Sequence, residues 1–463
     1  MLLEEFLLLL QGFRQVFSQE RVFLRVCRQA LGVLCALGRR TMARVLAATG
    51  RDQCDWTTEY RLFSRSPWKS RELFYPVIEK VLPFSGPAEQ PIVLAGDFTH
   101  LVKSGKHIAQ VHCMRDPLSP AFHTNLIYGL RFFQVTVLCP FRDRKPVALP
   151  ARSVPIRFEA SPVISKPGKK ATQQQRADYH RAQKQRPSSQ NARQVIVELR
   201  QDFDRAGQAG RQLLVTLDGS FCNQVFFQKA FDRVELVCRC RKDAVLCLAA
   251  QEGNPRRFYS KSRFTPEGVA QDHAIPWQQG DFFHGGKFYP IRYKEIKEVL
   301  WRKGAQRRFL RLIVIAPTGY RLHKQGRLLY RQPAYLLTTD LDSPVQALIA
   351  AYLERWQIEV NHREEKSTLG LGDAQVRHEL SVPRQPAFVV AIYAMLLLAS
   401  LRAYGPERTS DYLPPPKWGR PSRRPSLLDI IALLRQQIHD NPQKIEIFDI
   451  QTNALNLVLK AAA

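Results

Sequence analysis

The sequence lacks several features that would assign it to a common protein class. Its nine cysteines include no CxxC pair, which argues against a zinc knuckle or a dithiol redox motif. The longest apolar stretch, residues 388–401, is about 14 residues long, whereas a membrane span needs about 20. Glu4 and Glu5 stand where a secretory signal would be basic. These absences predict free thiols and a soluble, cytoplasmic protein with no membrane partner.

Acidic residues are also scarce. The chain has 41 Asp and Glu against 69 Lys and Arg, giving a formal net charge of +28 and a pI near 10.0. Such an excess predicts a polyanionic partner, and nucleic acid is favoured over an anionic membrane because basic residues recur along the whole chain. The alternative is a generally arginine-rich protein with no specific partner. A hydrophobic content of 45% over 463 residues is typical of a globular protein of about three domains.

The residue pattern predicts helices at both ends of the chain. In residues 1–88, apolar positions recur at three- and four-residue spacing, and short basic helices flank a polar turn around residue 52. This pattern predicts a helical DNA-binding region resembling a helix-turn-helix unit, with a plain helical bundle as the alternative. Residues 404–463 combine a Pro- and Arg-rich linker with an amphipathic helix, which predicts a basic C-terminal tail.

Between these ends the residue pattern is typical of an α/β protein. The runs IVLAGDFT, KHIAQVHCM and FFQVTVLCPF predict strands, followed by a helix, the strand LLVTLDGS, a short helix and the strand VELVCRC. This order is typical of a ribonuclease H-like catalytic core, assigned to residues 89–240 and 341–403, with a β-rich insertion at 241–340. The basic segment 164–193 predicts a solvated loop or frayed helix, in which Lys169 and Lys170 contact the DNA backbone.

One long helix, predicted from residue 345 to about 369, contains a spaced set of chemically distinct side chains. Tyr352, Arg355, Glu359 and Lys366 occur at offsets 0, 3, 7 and 14. At about 100° per residue, all four fall within an arc of about 60° on one face of the helix. The alternative is an exposed helix face with incidental ion pairs.

This set resembles the Y-x2-R-x3-E-x6-K signature of insertion-sequence DDE transposases, and it matches all four positions. Trp356 and the Ile358-Glu359 pair resemble the family's neighbouring residues as well. The branch with this signature carries a β-strand insertion in a ribonuclease H-like core. The family also requires two aspartates on strands, and Asp97 and Asp218 each follow an apolar strand, where α/β sites are usually built. Taken alone, either aspartate is as readily explained as a turn cap.

The resemblance implies that Asp97, Asp218 and Glu359 are catalytic and bind metal. Two Mg²⁺ ions, or Mn²⁺ in their place, would activate the attacking group and stabilise the leaving oxygen of a phosphodiester. Three carboxylates suit this role because Mg²⁺ prefers hard oxygen ligands.

The same resemblance assigns DNA contacts to the rest of the signature. Tyr352, Arg355 and Lys366 would hold phosphates, which positions DNA without reading its sequence. Trp356 would stack on an extruded base, unless it is a core residue.

The implied activity is cut-and-paste transposition in a bacterial cytoplasm, with the protein associated with the nucleoid. The partners would be double-stranded DNA, namely transposon terminal inverted repeats and target DNA, with a homodimer pairing two ends. Two alternatives stay open: a catalytically silent DNA-binding protein derived from a transposase, and a ribonuclease H-like nuclease without strand transfer.

Overall fold

One mixed β-sheet of 12 strands runs through the fold. The computed structural model describes the chain except for residues 106, 117–118, 121, 124, 142–148, 165–166, 169, 251–257, 285, 322, 324, 416, 418–421 and 451–463. The strands are β1 Ile92–Val102, β2 His112–Arg115, β3 Leu126–Phe141, β4 Leu149–Ser161, β5 Leu213–Leu217, β6 Val234–Arg239, β7 Leu246–Ala249, β8 Tyr259–Phe264, β9 Gln278–His284, β10 Lys287–Leu300, β11 Phe309–Ile315, β12 Gly319–Tyr320, β13 Leu329–Tyr330 and β14 Ala334–Thr338, of which β12 and β13 form a separate hairpin.

Helices pack on both sides of this sheet and at its ends, so the protein is a mixed α/β structure. The helices are α1 Leu2–Leu10, α2 Glu20–Cys35, α3 Met42–Ala48, α4 Thr57–Ser64, α5 Ser70–Val81, α6 Gln173–Lys184, α7 Pro187–Phe203, α8 Gln224–Phe227, α9 Pro266–Gln271, α10 Val345–Glu354, α11 Gln357–Ser367, α12 Ser381–Tyr404 and α13 Leu427–Asp440.

The strands that carry the two candidate aspartates lie at the centre of the sheet. The local order is β4-β3-β1-β5-β6. Strand β3 is antiparallel to β1, whereas β5 and β6 run parallel to it. The carboxyl ends of β1, β5 and β6 therefore point toward the same edge of the sheet, where side chains that follow them can meet.

Two strands differ from the prediction. Residues 107–111 form turns, and β2 begins only at His112. The 13-residue strand β4 was not predicted, because Pro150, Arg152, Pro155 and Arg157 interrupt its apolar pattern. Its buried arginines have partners within the fold, since Arg152 donates to the carbonyl of Pro425 and Arg157 pairs with Glu198. These partners let a sequence with two prolines and two arginines form a buried strand that pairs with β3.

The strands of residues 241–340 continue the central sheet. Strand β14 pairs with β6, with Leu337 opposite Cys238, and β11, β10, β7 and β8 follow in order. The chain therefore adds these strands beside the parallel pair β5 and β6.

The helix α12 fills the space between the sheet and the N-terminal helices, and it contacts β4, α1 and α5. Among the described residues it is long and apolar enough to cross a membrane, yet 83% of its most apolar 18-residue window is buried inside the protein. It extends ten residues beyond the 14-residue apolar run, since its first turns also include polar residues such as Arg384, which donates to the carbonyls of Phe63 and Trp68.

The basic segment 164–193 folds into more helix than predicted. It contains α6, none of whose residues is buried, and the first turns of α7. Thr172 caps α6 by accepting from the backbone N–H of Gln175, and Pro187 occupies the first turn of α7. These start signals favour helices over a loop. Lys170 is exposed just before α6, and Lys169 lies outside the described residues.

The helix predicted from residue 345 to about 369 is divided into α10 and α11. At the junction, Ile358 and Glu359 donate backbone hydrogen bonds to Arg355 and Trp356, three residues earlier, at 3.0 and 3.1 Å. These tighter i to i+3 bonds replace the α-helical pattern. The junction therefore interrupts the single helix, while Arg355 still lies near Tyr352 and donates to Glu359.

Candidate active site

Asp97 and Asp218 lie on adjacent parallel strands at nearly the same level. The register places Gly96 of β1 opposite Leu217 of β5, so each aspartate comes one position later. Asp218 follows the end of β5 as predicted, but the prediction that Asp97 ends its strand is wrong, because pairing with β3 continues β1 to Val102. Local donors hold both carboxylates: the N–H of Phe98 donates to Asp97 Oδ1 at 2.7 Å, and the Oγ and N–H of Ser220 donate to Asp218 Oδ1 at 2.6 and 2.9 Å. The fold therefore points two ordered carboxylates toward the edge at which β5 ends.

The junction between α10 and α11 brings the third acid to this edge. Arg355 Nη1 donates to Asp97 Oδ2 at 3.0 Å, and its Nη2 donates to Glu359 Oε1 at 3.4 Å. One guanidinium group therefore bridges the strand acid and the helix acid. The prediction assigned Arg355 to phosphate, whereas in the structure it contacts carboxylates.

The charges of the three acids affect one another. Burial raises the pKa of Asp97 to about 6, and the negative charge of Asp218 adds to this effect, although the Arg355 guanidinium opposes it. Burial also raises the pKa of Glu359, with Arg355 acting against burial and Asp218 acting with it. Carboxylates whose pKa values are raised by burial and by one another are stabilised in their ionised form by a nearby positive charge. The three acids therefore form a site that favours a cation.

Whether the residues present fit a metal ion depends on chemistry and on spacing. The donor set fits Mg²⁺, since it consists of carboxylate oxygens with excess negative charge. The spacing does not yet form a cage: in the part of the chain that the structure describes, no three His, Cys, Asp or Glu side chains are close enough to hold a metal ion together. The Arg355 guanidinium lies between two of the three candidate ligands, which accounts for their separation.

A cleft of about 950 Å³ adjoins the acids. Asp218, Tyr352 and Arg355 line it together with residues of β6, α9 and the strands of residues 241–340. The lining includes the basic and aromatic side chains Arg239, Arg241, Lys242, Trp277 and Tyr335, and also Glu267, which pairs with Lys242. The cleft thus places cations and ring faces beside an acidic centre.

Sequence reasoning missed these basic and aromatic residues of the cleft. Arg239 ends β6, the strand parallel to β5, so the strand-end argument that selected the aspartates also applies to it. Trp277 and Tyr335 carry no comparable signal. Lys294 and Arg292 lie over the ring of Trp277, 4.6 and 5.7 Å from its centre, which fixes its position on the wall.

The remaining signature residues occupy different positions. The ring of Tyr352 lies 5.9 Å from the Arg355 guanidinium. Trp356 is 55% exposed and lines a smaller cleft with His284 and Arg331, so the interpretation of it as a core residue is wrong. Lys366 lies near the C-terminal end of α11, close to His362, and it is not among the residues that line the large cleft.

Buried polar side chains lie next to the candidate acids. Gln134, which pairs with Asp97 across β3 and β1, donates to Glu365 Oε1 at 2.8 Å. Burial raises the pKa of Glu365 to about 8, which favours the neutral form of this buried carboxyl. Sequence reasoning did not single out either residue, because a Glu beside Lys366 on a helix gives no sign of burial.

Comparison with known protein families gives a match. The family model described as DDE superfamily endonuclease matches residues 13–308, more than half of the chain. The chain therefore belongs to the DDE superfamily endonucleases. No curated protein matches the sequence.

The matched region includes Asp97 and Asp218 but ends before Glu359. Two of the candidate acids therefore lie inside the shared family region. The third depends on the helix signature and on the contact that Arg355 makes with both Asp97 and Glu359.

Proposed function

We propose that the protein is a transposase that binds double-stranded DNA at transposon ends, cleaves it with the help of divalent metal ions and joins the freed ends to target DNA. The observation that carries the proposal is the grouping of Asp97, Asp218 and Glu359 at one edge of the sheet, beside a cleft with a basic wall. Membership in the DDE superfamily endonucleases supports the nuclease part of this activity.

The three carboxylates would hold the metal ions, which DDE endonuclease domains generally use. When bound, two Mg²⁺ ions, or Mn²⁺ in their place, supply an activated attacking oxygen and a stabilised leaving oxygen. Arg355 supplies positive charge to Asp97 and Glu359, so it limits the repulsion among the three acids. We expect Arg355 to set how readily they ionise.

The basic wall of the cleft would hold the DNA. Arg239, Arg241 and Lys242 line the cleft together with Tyr352, so phosphates of a strand in the cleft would contact cations near the acids. Such contacts position DNA without specifying its sequence. The exposed ring of Trp356 offers a face on which an extruded base can stack.

Further DNA contacts would come from outside the cleft. The helix α6 buries none of its residues and carries Arg181 and Lys184 in its last turn. Such a polar helix gains little from packing, so we propose that it, with Lys169, Lys170 and Lys366, contacts DNA backbone. The N-terminal helices would contribute end recognition, and a homodimer would pair two ends.

The test is cleavage of a plasmid that carries the inverted repeats flanking the coding sequence. The native protein is compared with Glu359→Gln, which removes a metal-binding charge at nearly constant size. Glu379→Gln is the matched control, since Glu379 is an exposed acid between α11 and α12. We expect Mg²⁺-dependent cleavage by the native protein and the control, and binding without cleavage by Glu359→Gln.

Each other outcome points to a specific alternative. Equal cleavage by Glu359→Gln would place the reaction elsewhere. Binding without cleavage by the native protein would favour the silent DNA-binding alternative. Cleavage without joining of a labelled 3′-hydroxyl end to a second plasmid would favour a nuclease without strand transfer.

A further inference from the structure

A second basic groove lies at the edge of the sheet that ends in β7 and β8. Its volume is about 880 Å³, and none of the described residues that line it is acidic. Five exposed cations surround it, two from β8 and three from the loop between β10 and β11: Lys261, Arg263, Arg302, Lys303 and Arg307. None of the five forms an ion pair with another described residue, whereas many surface cations elsewhere are paired, as Arg241 is with Asp243.

Aromatic rings hold two of these cations in place. The guanidinium of Arg302 lies 5.6 Å from the centre of the Tyr259 ring, and that of Arg307 lies 5.3 Å from the Phe258 ring. The two rings also contact each other edge to face, with centres 5.4 Å apart. Cation–π contacts restrict the arginines without neutralising them, so the groove presents ordered positive charge.

The groove is separate from the candidate active site. Along the sheet, β7 is the sixth strand from β1, which at about 4.8 Å per strand corresponds to about 29 Å across a flat sheet. The loop of residues 301–308 also lies at the opposite end of the strands, because Leu300 pairs with Phe309 while Ile315 and Ala334 lie toward the acidic edge. A ligand bound to the cations of this groove therefore contacts the protein far from the acids.

We propose that this groove is a second binding site for double-stranded DNA, recognised through its phosphates and independent of base sequence. Ordered, unpaired cations without nearby acids complement a polyanion, and a duplex offers a regular series of phosphates over more than 29 Å. The proposal rests on the proposed function, since it takes duplex DNA as the substrate. It adds a contact region far from the chemistry.

The test measures binding without cleavage. A fluorescent 30-base-pair duplex of arbitrary sequence is titrated with the full chain in EDTA at several salt concentrations, and anisotropy gives Kd. The variant is the triple substitution Arg302→Gln, Lys303→Gln and Arg307→Gln. The control removes the same charge at three ion-paired cations elsewhere, with Arg14→Gln, Arg402→Gln and Lys444→Gln.

We expect the groove variant to bind about tenfold or more weakly at 0.1 M salt. We also expect its log–log salt dependence to be shallower by about 2 to 3, because each lost phosphate contact removes about 0.9 from the slope. The control should keep most of the native slope. A groove variant with the native slope, or with a loss equal to the control's, would overturn the proposal.

The outcome is distinguishable from failure of the proposed function. Because EDTA is present, the binding result does not depend on whether the protein cleaves DNA. Circular dichroism of both triple variants checks folding, and the exposure of all three groove cations predicts native spectra.

Discussion

The substitution Asp97→Asn should stabilise the protein at neutral and alkaline pH while removing a candidate metal ligand. Asp97 is largely buried, with 18% of its side chain exposed, and it lies near two other acids. Its ionised form is therefore unfavourable in the folded protein, whereas in the unfolded chain water solvates it. Asparagine keeps the shape without the charge, although its single oxygen can replace only one of the two that accept from Phe98 and Arg355.

The magnitude follows from the change in pKa. Folding raises the pKa of Asp97 from 3.8 to about 6, and each pKa unit corresponds to about 1.4 kcal/mol. In this window the folded state binds more protons than the unfolded state, so stability falls as pH rises. The loss begins near pH 3.8 and is complete above about pH 6, where it amounts to about 3 kcal/mol.

The assay is urea unfolding of the native protein and the variant in EDTA, at pH 4 and pH 8. We expect nearly equal free energies of unfolding at pH 4 and a variant that is more stable by up to about 3 kcal/mol at pH 8. Asp204→Asn is the control of opposite sign, because a hydrogen bond from Arg233 lowers the pKa of Asp204 and its loss should destabilise the protein at pH 8. Destabilisation of Asp97→Asn at pH 8 would refute the reasoning.

Two further substitutions test the surroundings of the site. Glu365→Gln should become more stable relative to the native protein as pH rises from about 4.5 to about 8, and the difference in the free energy of unfolding should then level off. The reason is that the native carboxyl, with its raised pKa, loses its proton in that range. A difference in urea unfolding that stays constant across this range would contradict this expectation. Gly370→Ala should lower the free energy of unfolding by about 1–3 kcal/mol, because Gly370 has φ of +62° and an added Cβ would lie 2.4 Å from Asp373 Oδ2 and 3.0 Å from Arg40 Cβ. Thermal unfolding checks the latter, and a native midpoint would show that the loop rearranges at little cost.

The strand acids and the helix acid were predictable from local patterns. Asp97 and Asp218 each follow an apolar run, and such positions converge when the strands are parallel neighbours, as β1 and β5 are. Glu359 belongs to a spaced set that local sequence contains in full. Patterns of this kind identify positions because they depend on residues close in the chain.

The contact between Arg355 and Asp97 was not predictable in the same way. It joins residues 258 positions apart, and it depends on a tight junction between α10 and α11 that contains neither glycine nor proline. Strand β4 was missed for a similar reason, since Arg157 is stable inside the fold only because Glu198 lies beside it. Sequence periodicity does not report partners that tertiary structure supplies.

The cleft shows why the added strands matter to the candidate site. Strand β14 pairs with β6 directly beside the parallel strands, and Tyr335 of β14 lines the cleft together with Tyr352 and Arg355. Without this pairing, the edge of β6 would be exposed. The long gap between Asp218 and Glu359 in the sequence thus encodes much of the lining of the cleft, including Trp277 and Tyr335.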